Sequence, residues 1–114
     1  MKNKVNVLGT VYQISERTEK EDEKLEGNDG YCDRTVKLIV IEKLVREQYT
    51  LADLEYIMKK VLRHEIVHAF LIESGLNECS QSSSSWALNE EMVDWLAVQG
   101  PKIYEAWREA DCLE

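Results

Sequence analysis

The spacing of apolar and polar residues predicts strands in the first third of the chain. Residues 5–14 mix β-branched and apolar side chains with partial alternation, which predicts one strand with a bulge or bend at Gly9. Residues 30–33 and 35–41 predict two short strands joined by a tight turn at Asp33-Arg34. The second of these could cover the core with one face while its edge stays free, either for an extended ligand or simply bordering solvent.

A long helix is predicted in the middle of the chain. It runs over residues 51–72, with Thr50 as its N-cap and Gly75 at its end. Around His64 the helix is apolar on nearly every side, which indicates burial rather than a single buried face. Histidines in such surroundings need partners.

Two further helices are predicted towards the C-terminus. Residues 86–98 have helical apolar spacing, with Ser85 as the N-cap. Gly100-Pro101 should break that helix and start a last one, because proline suits a first helical turn. We expect the three tryptophans of the chain to pack in the core.

Polar segments separate these elements. Residues 16–29 hold seven acidic and three basic side chains and almost nothing to bury, which predicts a solvated loop with a transient helical turn at most. The DxDxDG spacing of a calcium loop is absent from it. Residues 77–85 contain a serine run and predict a polar linker.

Length and composition indicate a single soluble domain over residues 1–114, since a chain of this size can bury one core but not two. No apolar run approaches the roughly 18 residues of a membrane span, and the N-terminus lacks a signal-peptide core. We therefore expect a cytoplasmic protein with no membrane partner. The net charge of −8 argues against nucleic acid as a partner. Three widely spaced cysteines indicate reduced thiols rather than a disulfide framework: Cys32, Cys79 and Cys112.

The candidate chemistry concentrates at His64-Glu65-x-x-His68. Residues four apart share a helix face, so both imidazoles can reach one metal ion while Glu65 stands beside it. The chain has only 2 histidines, and both fall in this HExxH zinc motif. The alternative is a pair of histidines with ordinary packing roles on an amphipathic helix.

Two histidines leave a catalytic zinc site one ligand short, because such sites usually take three protein ligands and keep a fourth position for water. Glu90 lies far enough beyond His68 for one helix to end and another to bring a carboxylate back. Asp94 follows one turn later on the same face. There it can accept a hydrogen bond from the distal nitrogen of a ligand histidine and fix its tautomer.

Taken together, His64-Glu65-x-x-His68 and Asn89-Glu90-x-x-x-Asp94 resemble the gluzincin pattern of thermolysin-like metallopeptidases. The segment 90–97 is also similar to the glutamate helix of the ImmA/IrrE-type zinc peptidases of phages and mobile elements. Both alignments select Glu90 rather than Glu91 as the ligand. The resemblance covers roughly residues 60–98.

This resemblance implies a zincin-like fold of the α+β class, in which a small antiparallel or mixed sheet of about three strands packs against an active-site helix and two further helices follow. It implies Zn²⁺ held by His64, His68 and Glu90, with Asp94 behind His64. Glu65 is then the general base of a peptidase, taking a proton from a water whose pKa zinc lowers from about 15.7 to near 7. An edge strand beside the metal commonly holds the substrate in such enzymes by backbone pairing.

The chain also departs from these families. A metzincin would have Gly at position 71 and His at position 74, where this chain has Leu71 and Ser74. Thermolysin-like enzymes use a further histidine to stabilise the oxyanion, and none is left here. A tyrosine could substitute, and the candidates are Tyr31 and Tyr104, followed by Tyr12, Tyr49 and Tyr56.

Three functions therefore compete. The first is a zinc-dependent metallopeptidase acting narrowly on a specific intracellular protein or peptide substrate, because so small a domain offers only a shallow cleft. The second is a non-catalytic, zinc-stabilised binding or regulatory module, favoured by the missing oxyanion donor. A fourth protein ligand such as Cys32 or Cys79 would indicate that module, and an open coordination position would indicate the enzyme. The third is a metal-free interaction protein that docks through its helices.

Overall fold

The structure, a computed structural model, describes residues 1–45, 53–80 and 85–113. These form an α+β arrangement of a four-stranded mixed sheet and two long helices, with two short 3₁₀ turns. The strands are β1 (Lys4–Val7), β2 (Thr10–Arg17), β3 (Gly30–Asp33) and β4 (Leu38–Glu42), the helices are α1 (Leu54–Glu73) and α2 (Glu90–Glu109), and the 3₁₀ turns are Glu23–Leu25 and Trp86–Leu88.

The sheet has one strand more than predicted, because residues 5–14 form a hairpin rather than one bent strand. β1 and β2 pair antiparallel on either side of Leu8 and Gly9, which have φ angles of 51° and 94°. Positive φ at both central positions is the signature of the tightest hairpin turn. The Asn6 side chain closes the turn by accepting a hydrogen bond from the Gly9 N–H at 2.8 Å. Gly9 therefore marked a chain reversal and not a bulge.

The strand order is β1-β2-β4-β3, with β2 and β4 parallel and the other two pairs antiparallel. The strand expected to offer a free edge, β4, is in fact interior, and the free edge belongs to β3. The turn between them is also longer than predicted. The Asp33 carboxylate accepts from the Thr35 backbone N–H at 2.9 Å, and β4 begins only at Leu38.

α1 packs across one face of the sheet. Its Ala69 lies in the main core cluster with residues from β1, β2 and β4, namely Val7, Tyr12, Ile39 and Ile41. Asp53 caps the helix by accepting from the Tyr56 N–H, whereas Thr50, the predicted cap, lies outside the described residues. Gly75, with φ of 85°, follows the end of the helix as predicted. The expectation of burial on all sides is wrong, because Phe70 is 42% exposed.

The acidic segment before β3 covers the other face of the sheet and is more than a solvated loop. Leu25 is 1% exposed and Asp22 is 9% exposed. The Asp22 carboxylate accepts hydrogen bonds from the Tyr31 hydroxyl and, at 2.9 Å, from Arg17 Nη1. These contacts, the Tyr31 hydrogen bond first, hold the pKa of Asp22 below its usual value. Burial of Leu25 and the hydrogen bonds of the Asp22 carboxylate thus hold the segment against the sheet.

α2 is one continuous helix that contains Pro101, so the predicted break and third helix are wrong. Proline at position 101 has no N–H to give to the carbonyl of Ala97, one turn earlier. The Arg63 side chain of α1 replaces that donor, with Nε 2.5 Å from the Ala97 oxygen. The helix continues because a second helix satisfies the carbonyl that proline leaves without a partner.

The three tryptophans do not pack in the core. Trp86, Trp95 and Trp107 are 59%, 57% and 53% exposed, respectively. The two helices instead join through a small cluster around Leu71, Ala87 and Val93. Neither helix of the described chain is long and apolar enough to cross a membrane. All three cysteines are free thiols, as predicted.

Candidate metal centre

Three potential metal ligands converge where α1 meets the start of α2. The Nε2 atoms of His64 and His68 lie 3.2 Å apart, and Glu90 Oε2 lies 3.0 Å from the first and 3.3 Å from the second. Within the described ranges this is the one group of His, Cys, Asp or Glu residues compact enough to hold a metal ion. The structure therefore brings together the three residues that the sequence singled out.

Local structure explains how Glu90 reaches the histidines. The 3₁₀ turn before α2 is anchored by Ala87, which is fully buried. Asn89 then caps α2, its side-chain oxygen accepting from the Met92 N–H at 2.9 Å, so the helix begins at Glu90 and not near Ser85. Glu91 borders a separate groove beside Trp86 and Trp95. Because α2 starts at Glu90, this first glutamate lies beside the histidines and Glu91 does not.

Asp94 lies behind His64, as expected from its place one turn beyond Glu90. Its Oδ1 is 3.5 Å from His64 Nδ1, the ring nitrogen that faces away from the other ligands. The same oxygen is 3.5 Å from Lys60 Nζ. Asp94 is thus shared between the imidazole and a lysine one turn before it on α1. Helical spacing from His64 could have identified Lys60 in the sequence.

The geometry of the three donor atoms fits a metal ion. In a tetrahedral zinc site with bonds of about 2.0–2.1 Å, ligand atoms lie about 3.3 Å apart, close to the separations found here. When His64 Nδ1 bears the proton directed at Asp94, Nε2 carries only a lone pair and faces a carboxylate oxygen. Two acceptors at 3.0 Å repel each other unless a cation or a proton lies between them. Two imidazoles and a carboxylate suit zinc and other first-row divalent ions.

Glu65 stands beside this group with its carboxylate free. The residue is 6% exposed and makes no hydrogen bond with any described residue. Burial, then the negative charges of Glu90 and Asp29, raise its pKa to about 8. Since no fully enclosed polar atom of the described chain lacks a partner, the Glu65 oxygens must open into the cleft.

An open cleft of about 1160 Å³ surrounds the group, bordered by the β3 edge, α1 and the first turn of α2. Tyr31 lines it, but its hydroxyl donates to Asp22. Tyr104 and Tyr56 are exposed elsewhere and Tyr12 donates to Glu73, so the described residues place no tyrosine hydroxyl ready for an oxyanion. Tyr49 lies outside the described residues.

Cys32 also lines the cleft, but its thiol does not belong to the three-residue group. Burial, followed by the negative charge of Glu65, raises its pKa to about 12, which keeps the thiol protonated near neutral pH. Cys79 is exposed and does not join the group either. The fourth protein ligand that would close the site is therefore not supplied by either candidate cysteine.

Comparisons of the chain with protein-family models, with curated proteins and with solved structures found no match.

Proposed function

We propose that the protein is a zinc-dependent metallopeptidase that cleaves a specific protein or peptide in the cytoplasm, on a zincin-like variant of the α+β fold. The observation that carries the proposal is the convergence of His64, His68 and Glu90 within hydrogen-bond distance of one another in an open cleft. The unpaired carboxyl group of Glu65 beside them would supply the proton acceptor that hydrolysis needs, in the ionised form that a neighbouring cation favours.

His64, His68 and Glu90 would hold the ion, and zinc bound there would lower the pKa of a water from about 15.7 to near 7 and polarise a carbonyl. Glu65 accepts the proton of the attacking water and returns it to the leaving amine. Asp94 orients the His64 ring through Nδ1. Each role belongs to a residue whose side chain borders the cleft.

The edge of β3 supports a peptide as the substrate. The Glu42 N–H donates to the Asp29 carbonyl at 2.9 Å, which makes these two residues a hydrogen-bonded antiparallel pair. Such pairs alternate along the ladder, so the backbone groups of Gly30 and Cys32 point to the free edge. A peptide in the cleft can pair with those groups as an added strand.

Metal analysis of purified variants tests the ligand set. Glu90→Gln should lose stoichiometric zinc, and Glu91→Gln should retain it, because Glu91 faces another groove. His64→Ala should lose zinc as well. Retention of zinc by both His64→Ala and Glu90→Gln would refute the site.

Catalysis is tested separately. In a degradation assay on a peptide mixture, Glu65→Gln should abolish cleavage and keep its zinc, and Glu55→Gln, an exposed glutamate of the same helix paired with Lys59, should cleave normally. Loss of zinc from Glu65→Gln would mean that Glu65 is a ligand rather than the base.

A second candidate, a zinc-stabilised binding module without turnover, is favoured by the lack of a tyrosine hydroxyl ready to stabilise an oxyanion among the described residues. It predicts that zinc raises stability by about 2.7 kcal/mol at a free concentration of 100 Kd, with no cleavage by either wild type or Glu65→Gln. Cleavage that is present in wild type and lost in Glu65→Gln decides for the enzyme.

A further inference from the structure

We infer that a groove at the start of α2 binds an arginine side chain presented by a partner protein. The groove encloses about 580 Å³ and is lined by five residues, which together form the tryptophan groove: Trp86, Asn89, Glu91, Met92 and Trp95. None of them is a proposed metal ligand or the general base. The tryptophan groove is therefore a second site, separate from the cleft around the histidines.

Two residues of the groove are tryptophans whose rings face water. Trp86 is 59% exposed and Trp95 is 57% exposed. Within the described part of the chain, neither indole stacks on another ring or lies beneath a cation, because the cation–ring contacts there involve Tyr31 and Tyr12. Water solvates an exposed charge well but an indole poorly, so a ligand that covers these two rings lowers the free energy.

The fold holds the backbone of the groove in place. Trp86 belongs to the 3₁₀ turn whose Ala87 is fully buried, and the Trp86 carbonyl accepts from the Asn89 N–H at 3.3 Å. The Asn89 side chain in turn accepts from the Met92 N–H at 2.9 Å. Met92 packs against the cluster that joins the two helices, and Trp95 lies three residues further along α2. A ligand thus meets an ordered groove, which lowers the entropic cost of binding.

Glu91 makes the groove selective for a cation. It lies one turn before Trp95 on α2, so its carboxylate and that indole can contact the same ligand group. No lysine or arginine lines the groove, and Glu91 forms no ion pair within the described residues. Water solvates this carboxylate when no ligand is bound, so the indoles supply most of the affinity and Glu91 supplies the selectivity.

The shape of the guanidinium group favours arginine over lysine. A planar guanidinium can lie flat on an indole while its N–H groups donate to a carboxylate at its edge, whereas a lysine ammonium is a compact point charge. The Asn89 side chain favours a peptide as the carrier of that group. Its oxygen is used by the helix cap, and its amide N–H groups are left to donate to a peptide carbonyl.

The test is two-dimensional NMR of the full ¹⁵N-labelled chain, because each indole N–H gives its own signal. The probes are capped alanine pentapeptides with arginine, lysine or norleucine at the centre, and free arginine. The arginine peptide should shift the Trp86 and Trp95 signals along one saturable binding curve, and it should bind more tightly than the other three probes. Trp107 is the internal control, since it is 53% exposed on the same helix but outside the groove, and its signal should stay in place.

Two pairs of variants test the residues. Trp95→Leu should weaken binding of the arginine peptide by about two- to five-fold, the range for a cation–π contact at an exposed site, and Trp107→Leu should not weaken it. Glu91→Gln should also weaken it, whereas Glu23→Gln, which removes the same charge at an exposed residue outside the groove, should not.

Several results would overturn the inference. Equal shifts of all three tryptophan signals, or no saturable shift, would show that the groove is not a site. Equal binding of the norleucine or lysine peptide would remove the selectivity for arginine, as would equal effects of Glu91→Gln and Glu23→Gln. Free arginine that binds as tightly as the peptide would show that the ligand is a small guanidinium compound and not a protein.

Discussion

The contact between Arg63 and the Ala97 carbonyl gives the most direct test of how the two helices are joined. Arg63→Met removes the donor and keeps most of the aliphatic stem. The contact is partly buried, so the Ala97 oxygen would lose its 2.5 Å partner without full access to water. Leaving such a group unsatisfied costs about 1–3 kcal/mol, and partial exposure argues for the lower half of that range, about 1–2 kcal/mol.

The assay is a double-mutant cycle measured by urea unfolding. Pro101→Ala restores an N–H one turn after Ala97, so the carbonyl regains a partner within its own helix. In that background Arg63→Met should cost less than about 0.5 kcal/mol, which gives a coupling energy of about 1 kcal/mol. Arg108→Met is the matched control, because its exposed pairing with Glu105 contributes at most about 1 kcal/mol, independently of Pro101.

An equal loss of stability from Arg63→Met in the wild-type and Pro101→Ala backgrounds would refute this reasoning. Arg63 would then stabilise the chain by packing alone, and the continuity of α2 through Pro101 would need another cause.

Three further predictions concern stability and exposure. Gly30→Ala should cost about 1–3 kcal/mol, because its Cβ would lie 2.8 Å from the Val40 carbonyl oxygen; urea unfolding of the variant and of wild type checks this. Hydrogen bonds, from Lys37 first and then from Tyr12, lower the pKa of Glu73. The ionised Glu73 carboxylate should therefore stabilise the fold fully above about pH 4.3, and this contribution should decline as the pH falls further. The difference in unfolding free energy between wild type and Glu73→Gln should close in acid, and a difference independent of pH would contradict the assignment. Because all three tryptophans are more than half exposed, iodide should quench most of the native fluorescence, and strong protection would show that they are covered.

The parts of the site that depend on spacing within one helix could be predicted from the sequence. The HExxH residues lie one turn apart on α1, and Glu90 and Asp94 lie one turn apart on α2. Such spacing fixes relative position whatever the rest of the fold does. The α+β class, which the resemblance implied, is also that of the structure.

The errors came from contacts between residues distant in sequence. The continuity of α2 depends on Arg63, which lies 34 residues before Ala97 and has no local signature. The buried carboxylate of Asp22 depends on Tyr31 of β3. β4 lies inside the sheet because it pairs in parallel with β2, and no turn motif in the sequence predicts that pairing.

The position of Glu90 suggests one last prediction, about metal removal. Its carboxylate is 68% exposed and is held towards two imidazoles chiefly by the docking of α2, through the small cluster around Ala87 and Val93. Without a metal ion, a proton must lie between the Glu90 oxygen and an imidazole nitrogen to hold them together, whereas a divalent cation attracts all three donor atoms at once. Because the ligands come from two helices, metal binding and helix docking are one equilibrium.

Adding zinc should therefore slow amide hydrogen exchange most in the first turns of α2. In strands β1 and β2, which contribute no ligand, amide exchange should slow only by the amount that zinc adds to the global stability. Glu90→Gln should remove the local effect, and Glu91→Gln should preserve it. Uniform protection across both the sheet and α2 would show that α2 is already docked without metal, and that the three donor atoms are held together by the fold alone.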